Sequence, residues 1–426
     1  METKAAEQVK EGKVYTTRVT CRMCDGSDLT KVWSFGDTPL ANSYLKPEQV
    51  GSVDEPYAPL DIFYCDNCHL VQMLDVVDPD VLFSNYLYVS STSPKFVAHF
   101  EDYATSLISR FGLNKDDLVI DVGSNDGVLL KPFKEAGVRI LGIDPAQNVA
   151  DMANSEALET IADYFTPEVA ERVASEKGKA KIIAANNVFA HTDDVNLFVE
   201  ATKKLLADDG VYVFEVQYLG SLMEKNLFDI VYHEHVCYYS VRPLVRFFTK
   251  HNMEVFDVER PAVHGGSLRV FVQKAGGLHK REERLDEVLK EEEAKGLNKV
   301  YTYKEFMERI EKNKEKLNKM LKGIKEEGKI IVGYGAPAKA TTLLYALGID
   351  GETIDYIVDD DKKFKQGMVM PGNHIPIVAP GKLYEDKPDY CLILAWNFAE
   401  PIMENHVRFI DGGGKFIVPI PEPKII

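Results

Sequence analysis

Residues 232–240, YHEHVCYYS, gather two histidines, a carboxylate, a cysteine and three tyrosines in nine positions. Such a cluster could ligate a metal, move a proton or line a core. The metalloprotease pattern H-E-x-x-H is excluded, because it needs histidines one helical turn apart and His233 and His235 stand at i and i+2. A β-strand would send Tyr232 and Glu234 to one face and His233 and His235 to the other. Convergence of Tyr232, Glu234 and His235 on one substrate therefore requires the segment to leave strand geometry. Histidine titrates near neutrality, so a histidine of this segment is a candidate general base.

A second constellation takes the metal elsewhere. Cys21 and Cys24 form one C-x2-C pair, and after forty residues Cys65 and Cys68 form another. Two such knuckles place four thiolates tetrahedrally around zinc. With all four positions filled by cysteine, no open coordination site is left for catalysis, so the expected zinc is structural. A redox C-x-x-C normally comes singly beside a βαβ unit, and these two do not.

A third constellation is a loop. From Asp117 the chain reads DLVIDVGSNDGVLL, an apolar strand followed by a small-residue turn and an amphipathic helix; the next strand ends at Asp144. This β-loop-helix-β unit suits an adenosine-containing cofactor. The turn is not G-x-G-x-x-G, since Asn125 and Asp126 stand where a dinucleotide pyrophosphate needs bare backbone. S-adenosylmethionine has no phosphate and carries a sulfonium cation. Asp121 and Asp126 suit that charge, with Gly123 and Gly127 turning the chain and Asp144 placed to accept from ribose hydroxyls. Residues 181–191 read as a further strand with Asn187 at its carboxyl end, followed by another over 210–219. Ligands of open α/β sheets sit at those strand ends, which brings Asn187 and His191 into the region.

A fourth constellation resembles the third. KIIVGYGAPAKATTLL, from Lys329, repeats strand, glycine loop and helix, and the following strand ends at Asp359 and Asp360. Lys339 in the first helical turn joins backbone amides there, an arrangement suited to a phosphate. A later strand ends near Trp396 and Asn397. Between the two units, residues 280–328 are rich in Lys and Glu with Phe306, Ile310, Leu317 and Leu321 at helical spacing, which predicts a charged helical connector with a solvated face.

The elements needed to position these groups fit a chain of 426 residues, too long for one core. The expected division is a zinc-binding domain over 1–80, a cofactor domain over 81–276, a connector over 277–327 and a second Rossmann-like domain over 328–426. The fold class is α/β. A net charge of −17 argues against nucleic acid or anionic membrane as partner, because both need a basic footprint. No apolar run approaches a membrane span, and the charged first twenty residues are no secretory signal, so a cytoplasmic protein is expected, monomeric by default.

Taken in order, the two C-x2-C pairs, YLYVSS, DVGSNDGVLL, NNVFAH, FDIVYHEHVCYYS, HGGSLRV, GYGAPAKATTLL, KQGMVMPGNHIPI and LAWNF resemble the S-adenosylmethionine-dependent sugar C-methyltransferases. That family acts on nucleotide-linked 4-keto-6-deoxysugars, with 3-C-methyltransferases among its members, and the likeness covers nearly the whole chain after residue 20. It implies a zinc-binding N-terminal domain, a central class I methyltransferase domain and a C-terminal domain that helps bind the nucleotide sugar. It also implies that Tyr232, Glu234 and His235 contribute to the active site, with His235 the expected base and a tyrosine, Tyr88 or Tyr232, the alternative. The implied N-terminal active-site tyrosine falls in YLYVSS, at Tyr88 with Tyr86 as the alternative, and Tyr86 is otherwise expected as a substrate contact. His191, His264, Lys339, Trp396 and Asn397 are the further residues expected to meet substrate. A nicotinamide-dependent sugar oxidoreductase and a non-catalytic sugar-nucleotide-binding protein are the alternative readings.

Overall fold

The computed structural model describes residues 14–83, 89–92 and 94–426; Tyr86 and Tyr88 lie outside the described residues, as does the side chain of His264. Three sheets carry the site.

The central sheet has seven strands, ordered Met253–Glu259, Ser267–Lys274, Leu206–Gln217, Ala180–Asn186, Leu118–Val122, Arg139–Asp144 and Thr160–Ala162. The last five are parallel, and Ser267–Lys274 runs antiparallel to both of its neighbours. An antiparallel strand inserted in this way is the class I methyltransferase arrangement that the resemblance implied. Leu118–Val122 is buried along its whole length, as a central parallel strand covered on both faces must be. The order reverses between Leu118–Val122 and Ala180–Asn186, so the crevice for a ligand opens at their carboxyl ends.

The C-terminal sheet repeats that layout on a smaller scale. Its order is Ile377–Val378, Ile357–Val358, Ile331–Tyr334, Tyr390–Ile393, Lys415–Val418 and Lys424–Ile425, with only the last strand antiparallel. The N-terminal sheet is antiparallel, ordered Cys237–Tyr238, Val71–Met73, Tyr57–Cys65 and Leu29–Pro39. Tyr57–Cys65 alternates, burying Ala58, Leu60, Ile62 and Tyr64 on one face. Its edge strand, Cys237–Tyr238, directly follows the histidine-rich segment.

The charged connector forms two helices, Glu283–Ala294 and Val300–Glu326. Phe306, Ile310, Leu317 and Leu321 are buried, in one core with Trp33 of the N-terminal sheet and Leu343 of the C-terminal domain. Trp33 also donates its indole N–H to the Tyr303 carbonyl at 3.0 Å. The face is not wholly solvated. Glu292 is buried and accepts from the amides of Val241 and Arg242, at 2.6 and 3.1 Å, which caps the helix Val241–Lys250.

Candidate active site and metal centre

The two cysteine knuckles are built alike. In each, the residue after the second cysteine, Asp25 or His69, takes a positive φ (61° and 72°). Its amide then donates to the carbonyl of the first cysteine, at 2.9 Å for Asp25 to Cys21 and 2.8 Å for His69 to Cys65. All four Sγ atoms lie within 4.8 Å of one another, with Cys21 to Cys68 at 3.5 Å and Cys24 to Cys65 at 3.6 Å. A tetrahedral zinc–thiolate site has Zn–S bonds near ~2.3 Å, which sets its sulfurs roughly 3.8 Å apart, so the quartet fits zinc.

At the first glycine loop, Gly123 has φ of 68° and a Cβ there would meet Val188 Cγ2 at 2.2 Å. Gly127 has φ of 82° and is backed by Leu158. Only glycine fits either position. Asp144 anchors the loop, accepting from the amides of Asn125 (2.8 Å) and Ala146 (2.9 Å). The Ser90 amide donates to Asn125 Oδ1 at 3.0 Å and the Ser91 amide to Asp126 Oδ2 at 3.1 Å, so the two serines that end YLYVSS lie across this turn. Asn187 takes φ of 56° and ends the strand before it, so His191 falls in the short turn Phe189–His191 rather than in a strand. Burial and the nearby Asp144 push the Asp121 carboxyl well above its usual range. The amide of Asn186, Ser124 Oγ and Asp126 Oδ1 are buried without hydrogen-bond partners among the described residues. A polar, cationic cofactor answers both observations, supplying partners and counter-charge.

The histidine-rich segment does leave strand geometry. His235 N donates to Tyr232 O at 2.8 Å, closing a four-residue turn before the strand Cys237–Tyr238. The turn brings the rings of Tyr232 and His235 together, with centroids 4.1 Å apart. His191 meets His235 edge to face at 4.8 Å. Burial and the neighbouring His235 hold His191 well below the usual histidine value, against a hydrogen bond to the Glu234 carbonyl that works the other way. His235 Nδ1 lies 2.7 Å from the Ile230 carbonyl. A carbonyl only accepts, so in the neutral ring Nδ1 carries the proton and Nε2 carries the lone pair. His233 turns inward to the Ala58 carbonyl at 3.0 Å and is buried, a packing role.

Glu234 is also buried, and its Oε1 accepts from Asn42 Nδ2 at 2.6 Å. Burial pushes its carboxyl up to about 7, with the Asn42 bond pulling the other way. Asn42 belongs to a stretch of the N-terminal domain that also reaches the C-terminal one. Thr341 donates to the Ala41 carbonyl at 3.1 Å, and the Tyr44 hydroxyl donates to the carbonyl of Ala336 at 2.6 Å.

In the second glycine loop, Gly335 has φ of 88° and a Cβ would meet that of Ala395 at 2.5 Å. Asp359 accepts from the amides of Ala336 (2.6 Å) and Asp361 (2.8 Å), the same device as Asp144. Lys339 does not stand open. Its Nζ is 3.7 Å from Asp229 Oδ2 and 3.9 Å from the Trp396 ring centroid, while Trp396 Nε1 donates to the same carboxylate at 2.5 Å. Burial holds the Lys339 ammonium below its ordinary value, with Asp229 opposing. Asn397 is exposed.

Sequence reasoning missed Asn42 and Asp229. Asp229 lies inside the FDIVYHEH motif, but its type and spacing carried no chemical signal of their own.

A class I methyltransferase sheet, a cysteine quartet and a polar loop suited to a cation define an S-adenosylmethionine-dependent methyltransferase with a zinc-binding N-terminal module. Residues 21–83 match a family described as a putative zinc binding domain, 96–258 a methyltransferase domain and 262–421 a C-methyltransferase C-terminal domain. The chain is 40% identical over 406 residues to the C-methyltransferase NovU of Streptomyces niveus, covering 95% of this chain and 96% of that protein. It belongs to the C-methyltransferase family, which decides against the oxidoreductase and non-catalytic readings. A shorter likeness, 37% over 95 residues, links 22% of the chain to 38% of the ubiquinone biosynthesis O-methyltransferase of Bartonella tribocorum (strain CIP 105476 / IBS 506). The magnesium protoporphyrin IX methyltransferase of Synechocystis PCC 6803, solved with bound SAH, aligns with 42% of this chain and 83% of its own at 13% identity, TM-score 0.33. That likeness is too distant to bear on activity.

Proposed function

We propose that the chain methylates C3 of a nucleotide-diphosphate-linked 4-keto-6-deoxysugar, in branched deoxysugar biosynthesis. The observation that carries this reading is the tautomer of His235. With Nδ1 donating to the Ile230 carbonyl, the ring carries its basic lone pair on Nε2, and the rings of His191 and Tyr232 pack against it. Carbon methylation needs a carbanion equivalent, and the C3 proton of a 4-keto sugar is acidic because the carbonyl can take up the charge.

His235 Nε2 removes that proton, and the C3–H electron pair passes into an enolate whose oxygen was the C4 carbonyl. Such a base contributes about 10²–10⁴-fold. Tyr232, with Tyr88 from the stretch before residue 90, donates to the enolate oxygen. Glu234, held by Asn42, orients the sugar through a hydroxyl. S-adenosylmethionine, when bound, would supply the electrophilic methyl for the enolate carbon and leave as the neutral thioether. Asp121, Asp126 and Asp144 hold the cofactor on the Gly123–Gly127 turn, with Asn187 at the next strand end. The diphosphate faces the loop at Gly335, where Lys339 exchanges its pairing with Asp229 for the phosphate, and His191, His264, Trp396 and Asn397 are further substrate contacts.

The test separates the two half-steps. In deuterated buffer without cofactor, a nucleotide 4-keto-6-deoxysugar should exchange its C3 proton, and His235→Asn should abolish that exchange. With labelled S-adenosylmethionine the same sugar should gain the methyl at C3. Undiminished exchange in His235→Asn removes His235 as base; no exchange and no methyl with any member of a panel of such sugars removes the substrate class.

A further inference from the structure

The two neighbouring histidines come from different segments, and one buried guanidinium joins those segments. His191 ends the turn Phe189–His191, whereas His235 closes the turn that begins at Tyr232. Arg22 stands between Cys21 and Cys24 in the first knuckle and is fully buried. Its Nη1 donates to the carbonyls of Val236 (2.9 Å) and Met73 (2.7 Å) and to Gln72 Oε1 (3.2 Å). Its Nη2 and Nε donate to Asp193 Oδ1 at 3.0 and 3.3 Å. Val236 directly follows His235, and Asp193 stands two residues past His191. The same planar fork therefore grips the chain beside each histidine.

The knuckle in turn fixes Arg22. The Asp25 amide closes the turn on the Cys21 carbonyl at 2.9 Å, the Arg22 amide donates to Gln72 Oε1 at 3.2 Å, and Asn196 donates to the Arg22 carbonyl at 2.8 Å. Burying a guanidinium is costly unless its donors are used, and a fold that only needed packing would place an apolar side chain here. Lysine could not substitute, since it lacks the rigid fork that reaches both segments at once.

We propose that Arg22 is a positioning residue that transmits the geometry of the cysteine-bound zinc to the His191–His235 pair. The functional consequence rests on the reading in which these histidines serve the reaction; the structural one does not. The test uses full-length, zinc-loaded Arg22→Met, Arg22→Lys and Asp193→Asn. Zinc content, calorimetric binding of S-adenosylmethionine, kcat and KM for the nucleotide sugar, and the ring resonances of 13C-labelled histidines are measured on each.

Arg22→Met is expected to keep its zinc and its cofactor affinity while kcat falls about 10²-fold and KM changes little, the effect of displacing a reacting group by about 1 Å. Arg22→Lys should not restore kcat. Asp193→Asn, at a side chain 31% exposed, should lower kcat in the same direction but less. The His191 and His235 resonances should move in all three. A folded Arg22→Met with native kcat and unmoved resonances overturns the proposal; if that variant does not fold, Asp193→Asn decides on the same two signals. Should the native protein not turn over the sugar, the functional reading fails, and the resonances alone still decide what Arg22 does.

Discussion

Replacing Glu234 by Gln should remove activity and yet make the protein more stable in alkaline solution. The carboxyl is 5% exposed and Asn42 Nδ2, at 2.6 Å, is its hydrogen-bond donor among the described residues. Burial raises it from 4.5 to about 7. A group raised in the folded state binds its proton more tightly there than in the unfolded chain. Its stabilising contribution is therefore complete below 4.5 and is lost as pH rises through about 7. The displacement corresponds to about 3 kcal/mol between the two ends of that window. Gln keeps the Asn42 bond through its amide oxygen and carries no charge. Native protein and Glu234→Gln should thus melt together near ~pH 4, while near ~pH 8 the variant should melt a few degrees higher. Differential scanning fluorimetry at both pH values, alongside methyl transfer, reads the two effects. A variant no more stable than native at the alkaline end would refute the account of Glu234 as a desolvated carboxylate, whatever its activity.

The Asn42 bond can be probed alone. Asn42→Leu removes a donor to a charged group, worth about 1.5–3 kcal/mol, and should move the Glu234-dependent limb of the pH–rate profile upward by about one to two pH units; an unmoved limb would mean that the bond does not act on Glu234. Gly123→Ala meets both a φ of 68° and Val188 at 2.2 Å, so it should lose about 1–2 kcal/mol from the backbone alone and weaken S-adenosylmethionine binding in calorimetry. Cys65→Ser should abolish stoichiometric zinc and lower the melting temperature; metal analysis showing full zinc would contradict a four-thiolate site. Lys339→Met should raise KM for the nucleotide sugar by about tenfold or more and leave cofactor affinity alone, and an unchanged KM would confine Lys339 to its pairing with Asp229 and Trp396.

What the sequence by itself determined was local chemistry. The spacing of Cys21, Cys24, Cys65 and Cys68 states the metal site, because two knuckles are each a matter of four consecutive residues. Both glycine loops and their following aspartates were legible for the same reason, since a strand, a turn and a helix carry their own patterns. The failure of strand geometry to gather Tyr232 and His235 was enough to require a bend, and the turn supplies it.

Tertiary structure decided which partners those groups have. Asn42 meets Glu234 across 192 residues, Arg22 meets Val236 across 214 and Asp229 meets Trp396 across 167. No periodicity or spacing links positions so far apart; only the packing of three sheets against one connector brings them together. The same packing buried Glu292 within a stretch whose composition predicted solvent, and it tied Lys339 to a carboxylate where its loop predicted an open phosphate site. Residue type sets what each side chain can do. Its neighbours set its protonation and direction, and these are written in the fold because burial and hydrogen bonding belong to three-dimensional surroundings.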